Sequence, residues 1–295
     1  CVREGKHPQL VAAVEQLRKL DPSLRWSEEP HVGGVRLGGL TRAQLDLARL
    51  RLEDRFGLEL IVDLPPVRYL ERPAASVREV HGLHCKRKGS EVVEYGECWI
   101  DLEPTPPELG FQFVGEVHED VLPTRFVPPI GEGARRALAH GPTAGYPVSG
   151  VLVRCERGEY DALESVEVHF EHAGERAMQA ALLQARTELM EPWSEVRVFC
   201  GSEHVGPVLA DLNAHRGRVL GLEVSELSSV VQAHLPNREL LTLAGRLEAL
   251  TGGRAWFDLR ASHYDRLPNE LVGEAIARSP YQPLREVGEP AGARR

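Results

Sequence analysis

Residues 195–200 read Glu-Val-Arg-Val-Phe-Cys, and residues 205–217 read Val-Gly-Pro-Val-Leu-Ala-Asp-Leu-Asn-Ala-His-Arg-Gly. The first run alternates apolar and polar residues as a half-buried strand does. The second has helical spacing and is closed by Gly217. Outward from this pair the pattern continues with strands near Val219–Val224 and Ser228–His234, a helix over Arg238–Leu250 and a strand over Arg254–Arg260. The order β-α-β-β-α-β is a ferredoxin-like unit. With a short helix at Asn269–Ala277 it defines a domain over 188–279, and the proline- and glycine-containing tail 280–295 is expected to be disordered.

The amino-terminal part repeats the pattern incompletely. Leu10, Val11, Val14, Leu17 and Leu20 mark an amphipathic helix over 8–20. Strands at Ser23–Ser27 and Gly34–Leu37 follow, then a helix from Thr41, its N-cap, to Phe56 and a strand at Leu58–Val62. This is a ferredoxin-like unit over 1–72 whose first strand is mostly absent, with Cys1–Arg3 as its remnant. That gap, together with the lack of an initiator Met, suggests a processed product or an excised piece.

Between the two lies a different α+β domain, 73–187. Strands are expected at Val77–Cys85, Val92–Leu102, Phe111–Val117 and Val148–Cys155, the last leading to a hairpin that turns at Arg157-Gly158. Helices are expected at Pro128–His140 and Phe170–Arg186, the latter with a small-residue face of Ala173, Ala177, Ala180 and Ala181 able to lie close against a sheet. Gly141-Pro-Thr-Ala-Gly-Tyr-Pro-Val-Ser-Gly150 joins helix to strand. Two prolines stiffen it and its glycines relax it, so it can hold one shape while exposing backbone.

At 295 residues the chain is long enough for two or three domains. It has no apolar run of membrane-spanning length and no signal-peptide core, so no membrane is expected, and the compartment is taken as cytoplasmic. Five cysteines stand singly at 1, 85, 98, 155 and 200, which suits reduced thiols. His81, His84, Cys85 and Cys98 do not make a zinc set. His84 and Cys85 are adjacent and point to opposite faces of a strand, and Cys98 has no close partner. The net charge is −9, and residues 75–187 carry 11 basic against 18 acidic residues. A broad basic surface is therefore excluded, and any contact with nucleic acid must be local.

No GxxxxGK[ST], GxGxxG after a strand, HExxH or GxSxG is present, and Ser202/His204 and Ser262/His263 lie too close in sequence to form a triad. The carboxylates Glu103, Glu116, Glu119 and Asp120 show no spacing that separates them from solvated charges. No catalytic residue is assigned, and no cofactor or metal is expected in this chain.

Four segments, in order and at matching spacing, carry a resemblance. They are Leu122–Val148, Leu189-Met-Glu-Pro192, Val205–Gly217 and Ser262-His-Tyr-Asp265. Together they resemble the C-terminal half of bacterial elongation factor G, its third, fourth and fifth domains, in a diverged paralogue. The likeness implies two ferredoxin-like domains flanking a ribosomal-protein-S5-domain-2-like α+β domain, and Leu189–Pro192 as a hinge. It also implies a monomeric translation factor whose middle domain mimics a tRNA anticodon arm at the ribosomal A site during GTP-dependent translocation, with GTP and Mg belonging to the full-length protein. Ribosomal RNA and proteins, tRNA and mRNA are the implied partners. Gly141, Pro142, Thr143, Ala144, Gly145 and Tyr146 would form one tip loop, and Glu159, Tyr160 and Asp161 the neighbouring one. Asn213, His215, Arg216 and Arg254 would contact the ribosome from the last domain. Glu159-Tyr160-Asp161 lacks the histidine usual there, Lys88–Glu94 replaces a glycine-rich loop, and Thr41–Gln44 replaces a Gly-Glu-Leu-His-like motif. A ribosomal-protection factor that displaces a drug or a stalled factor, and a degenerate protein-interaction module, are the alternatives.

Overall fold

Alternation in β4 (Val77–Lys88) and β5 (Glu91–Pro104) fixes the central layer. Val80, Cys98, Ile100 and Leu102 all face one side and are buried, while the residues between them reach the other. In the computed structural model, which describes residues 7–29, 34–39, 41–60, 66–89, 91–225 and 228–284, contacts divide the chain into two units at Pro66.

The first unit holds α1 (His7–Leu20), the antiparallel pair β1 (Arg25–Glu29) and β2 (Gly34–Gly38), and α2 (Arg42–Phe56). Thr41 caps α2 by accepting from the Gln44 N–H, and Gly57 closes it in the left-handed region. Leu10, Val14, Leu17, Ala48 and Leu52 pack one core between the helices. Cys1–Arg3 and the end of the strand expected at 58–62 lie outside the described residues.

The second unit begins with β3 (Leu70–Pro73). These residues were expected in the first domain, but β3 pairs antiparallel with the start of β8 (Thr187–Cys200), so the boundary falls earlier than 72. The middle sheet has the order β4-β5-β7-β6, with β6 (Phe111–Gly115) parallel to β7 (Val151–Glu159). The parallel pair is joined through α3 (Val127–Ala137), which packs with α4 (Glu167–Ala185) on one sheet face. Ile130, Ala134, Phe170, Ala177, Met178 and Ala181 meet Ile100, Leu102, Val153 and Cys155 there. The small-residue face of α4 acts as expected: Ala173 and Ala177 are buried so close over Gly82 that a Cβ added there would strike the Ala173 carbonyl oxygen.

Two expectations are corrected. There is no turn at Arg157-Gly158, because β7 runs on to Glu159, pairing Arg157 with Trp99 and Gly158 with Cys98. Gly158 serves packing, since a Cβ there would lie 2.8 Å from Leu122 Cδ2. Nor is Leu189–Pro192 a hinge: all four residues are buried within β8, which pairs with β3 at 187–190 and with β11 (Trp256–Arg266) from 190 onward.

The remaining elements are α5 (Val205–Ala214), β9 (Arg218–Val224), β10 (Ser229–Pro236), α6 (Asn237–Thr251) and α7 (Asn269–Ala277). The sheet order β11-β8-β10-β9 is that of a ferredoxin-like βαββαβ domain, as its sequence pattern requires. Val196, Val198, Val231, Ala233 and Leu235 on one face meet Val208, Leu212, Leu243 and Leu247 from α5 and α6. No helix among the described residues is long and apolar enough to cross a membrane.

Candidate nucleic-acid interface

The two loops expected to form one tip stand at opposite ends of β7. Gly141–Tyr146 precedes the strand and Tyr160 follows it, and the rise of about 3.3 Å from each of its nine residues to the next sets the strand's ends roughly 26 Å apart. Of the first loop, Gly141, Ala144, Gly145 and Tyr146 are buried, and Pro142 and Thr143 are half-buried. The exposed tip loop that the resemblance implies is thereby corrected, and the reason is one carboxylate.

Glu71 of β3 is 0% exposed. Its Oε1 accepts from the backbone N–H of Ala144 (2.8 Å) and Tyr146 (3.2 Å), and its Oε2 accepts from Thr143 N–H (3.0 Å) and from the Thr187 hydroxyl. The loop does present backbone donors, as its glycines and prolines suggest, but it wraps them around an internal anion. Gly141 is needed because a side chain would occupy the carboxylate's place. The outer side is closed as well: Ser279 Oγ donates to Ala144 O, Leu284 N–H to Gly141 O, and the Tyr146 hydroxyl to Ala275 O. Residues 281–284, expected in a disordered tail, are therefore packed, with Tyr281 edge-on to Tyr146 at 5.6 Å. Residues 285–295 lie outside the described set.

The other end of β7 is open. Asp161 Oδ1 accepts from the N–H groups of Leu163 (2.8 Å) and Glu164 (3.1 Å), while Ser165 Oγ accepts from Asp161 N–H and donates to Tyr95 O. This Asx-type turn fixes the loop and holds Leu163 89% exposed. One Asp161 oxygen is thus turned onto its own loop. Tyr160 is exposed at 43% and tilts over Phe126 at 6.0 Å, with the Arg125 guanidinium 4.7 Å from the Phe126 ring. On the sheet face away from the helices, the Arg157 guanidinium lies 4.1 Å above Trp99, which stacks with His81 at 4.9 Å. Arg157 also donates to Glu159, so the first of the three expected residues of this loop is ion-paired.

In the last domain Asn213 is exposed and His215 half-buried, its Nδ1 2.8 Å from Asp211 O. Arg216 is turned inward: both terminal nitrogens donate to Glu191, which is 1% exposed. Arg254 is exposed, 3.5 Å from Glu203. Burial pushes the Cys155 thiol up to about 12 and that of Cys98 well above its ordinary value, so neither presents a thiolate.

Residues 65–186 match the family described as elongation factor G, domain IV, and residues 188–275 match the elongation factor G C-terminus. Over residues 65–275 the chain belongs to the elongation factor G family. Elongation factor G of Aquifex pyrophilus is 35% identical over 266 residues, 88% of this chain and 37% of that protein. An elongation factor G-like protein of Thermotoga maritima is 32% identical over 269 residues, 91% of this chain and 39% of that protein. A crystal structure of a Thermus thermophilus protein matches with a TM-score of 0.83 and 32% identity, covering 93% of this chain and 41% of that one. The chain thus spans about two fifths of the length of these relatives.

Within this member of the family, sequence reasoning grouped Glu159, Tyr160 and Asp161 with 141–146 as neighbouring tip loops, whereas the fold sets the two at opposite ends of β7. That reasoning missed Glu71 altogether. An isolated acidic residue in a short strand carries no local mark, and only its 72-residue separation from Thr143 in the chain, closed by the fold, makes it a ligand for that loop.

Proposed function

We propose that this chain is the ribosome-binding part of an elongation factor G-like translation factor, with the 160–165 end of its middle domain entering the decoding side of the A site. The observation that carries the reading is the Asp161 turn, which holds a small, rigid, protruding loop at the far end of the sheet from the buried 141–146 loop. Such a loop suits a narrow RNA-lined site, where shape and a few stacking groups matter more than a basic surface. Tyr160 and the Arg157–Trp99–His81 stack supply those groups. On this reading the partners are ribosomal RNA and proteins with tRNA and mRNA, and the protein works as a cytoplasmic monomer. GTP with Mg2+ serves the whole protein during translocation. Asn213 and Arg254 are the outward-facing candidates for contact from the last domain, whereas Arg216 acts inside it.

The test is co-sedimentation with 70S ribosomes across a salt series. Binding that weakens as salt rises is expected, because phosphate contacts release counterions. No binding at the lowest salt overturns the proposal. A cleavage reagent tethered at Leu163→Cys should cut ribosomal RNA at the decoding site, and cuts confined elsewhere would remove the tip assignment.

A further inference from the structure

Strand alternation sends His84, with Val80 and Gly82, toward the helical face of the middle domain. The β4–β5 register sets His84 opposite Gly96 and Lys86 opposite Glu94. A Cβ at Gly96 would lie 2.8 Å from the His169 carbonyl carbon, so the first turn of α4 rests directly on this point of the sheet. Three elements therefore converge. His84 and His169 stack at 5.2 Å, His172 lies 4.8 Å from His84, and Glu94 Oε2 is 2.8 Å from His84 Nε2 and 4.0 Å from His169 Nε2. One ligand atom from each of His84, Glu94 and His169 lies within 4.8 Å of the others.

The surroundings are those of a site rather than of a solvated face. His169 is 7% exposed, and the Nδ1 atoms of both His84 and His172 are buried with no hydrogen-bond partner among the described residues. Lys86 Nζ takes the other Glu94 oxygen at 2.8 Å from a largely exposed position, leaving Oε2 directed at the two imidazoles. Arg176, which donates to Leu83 O, is the other nearby cation. Val166 N–H reaches His169 Nδ1 only at 3.4 Å, a long contact that ligation through Nε2 can release.

We propose that His84, Glu94 and His169, with the His172 ring packed alongside, bind a divalent transition ion of the zinc class. Imidazoles with a single carboxylate suit Zn2+, Co2+ or Ni2+, whereas Mg2+ and Ca2+ require oxygen shells. Tetrahedral ligands at about 2.0–2.1 Å stand roughly 3.3 Å apart, so the Glu94–His84 spacing is already short enough and His169 closes by a small side-chain adjustment. The ion would tie the β4–β5 hairpin to the first turn of α4, immediately behind the 160–165 loop. Its existence does not depend on the ribosomal reading.

The test titrates the metal-free full chain with Co2+ and then Zn2+. One equivalent of Co2+ is expected to bind with the visible ligand-field bands of a four-coordinate nitrogen–oxygen site, to be displaced by Zn2+ and to ignore Mg2+. His169→Gln and Glu94→Gln should each weaken binding about tenfold or more, while His118→Gln, on an exposed residue, leaves it unchanged. In the unmodified chain, zinc should move the ring signals of His84 and His169, a readout that does not require the variants to fold. Absence of a stoichiometric site, binding untouched in a folded His169→Gln chain, or shifts confined to other histidines would each overturn the assignment.

Discussion

Glu71 shows how one side chain decides what a loop can do. Its carboxylate accepts three backbone N–H groups and a hydroxyl in a place water does not reach, so the donors of 141–146 are committed inside the protein. Removing the acceptor strands those donors at about 1–3 kcal/mol for each that finds no new partner. Glu71→Ala should therefore lose about 3 kcal/mol of stability or more. Glu71→Gln keeps the shape but turns donors toward donors, and should lose about 2 kcal/mol. Urea denaturation followed by circular dichroism measures both, and a change under about 0.5 kcal/mol in Glu71→Ala would contradict the role. His234 offers a test of pH at the same scale. Burial, then the charge of His263, whose ring lies 5.0 Å away, holds its pKa below the ordinary 6.5. The folded state thus binds this proton less readily than the unfolded chain does. The stabilising contribution is complete above pH 6.5 and is lost as pH falls from there through the lowered folded value. His234→Gln should flatten that segment of the stability–pH curve, and an NMR titration of His234 at or above 6.5 would refute it.

Among the elements, α4 and β8 do the most to organise the second unit. The α4 helix lies so near the middle sheet that Gly82 meets Ala173 and Ala177 with no room for a side chain. Gly82→Ala must push the helix away or distort β4. It should cost about 1–3 kcal/mol through overpacking, with shifted or broadened NMR signals for residues on both elements. Equal stability of Gly82→Ala and the parent chain in thermal melts would show that the helix has slack. The β8 strand is legible in sequence as two pieces, a supposed hinge and a strand. Its continuity comes from having β3 beside its first residues and β11 beside the rest, so no backbone group is left to bend freely.

For the whole molecule, the boundary at Pro66 makes a clear expectation about truncation. A chain beginning at Val67 keeps β3, Glu71 and the closed 141–146 loop, and should unfold cooperatively with a Tm within a few degrees of that of the same unit in the full chain. One beginning at Pro73, the expected start of the middle domain, removes most of the edge strand and the buried carboxylate. It should melt several degrees lower, on the order of 6 °C or more for a loss of about 3 kcal/mol. Scanning calorimetry of the two fragments decides the matter, and equal melting temperatures would show that β3 contributes little.

Periodicity alone determined the larger part of this protein: the βαββαβ order of 188–267, the capped helix after Thr41, and the small-residue face that lets α4 approach a sheet. These are local patterns, each written within a short run of consecutive residues, and the family resemblance rests on the same local runs. Tertiary structure decided the rest. Whether Gly141–Tyr146 is exposed depends on Glu71 and on Ser279–Leu284, and whether Arg216 faces solvent depends on Glu191, buried within β8. The convergence of His84, Glu94 and His169 depends on a strand register and on a helix far along the chain. Charges and backbone donors take their meaning from the partner that the fold brings to them, and that partner is distant in sequence. Hydrophobic period is enough to specify the elements, but the pairing of buried polar groups requires the assembled core.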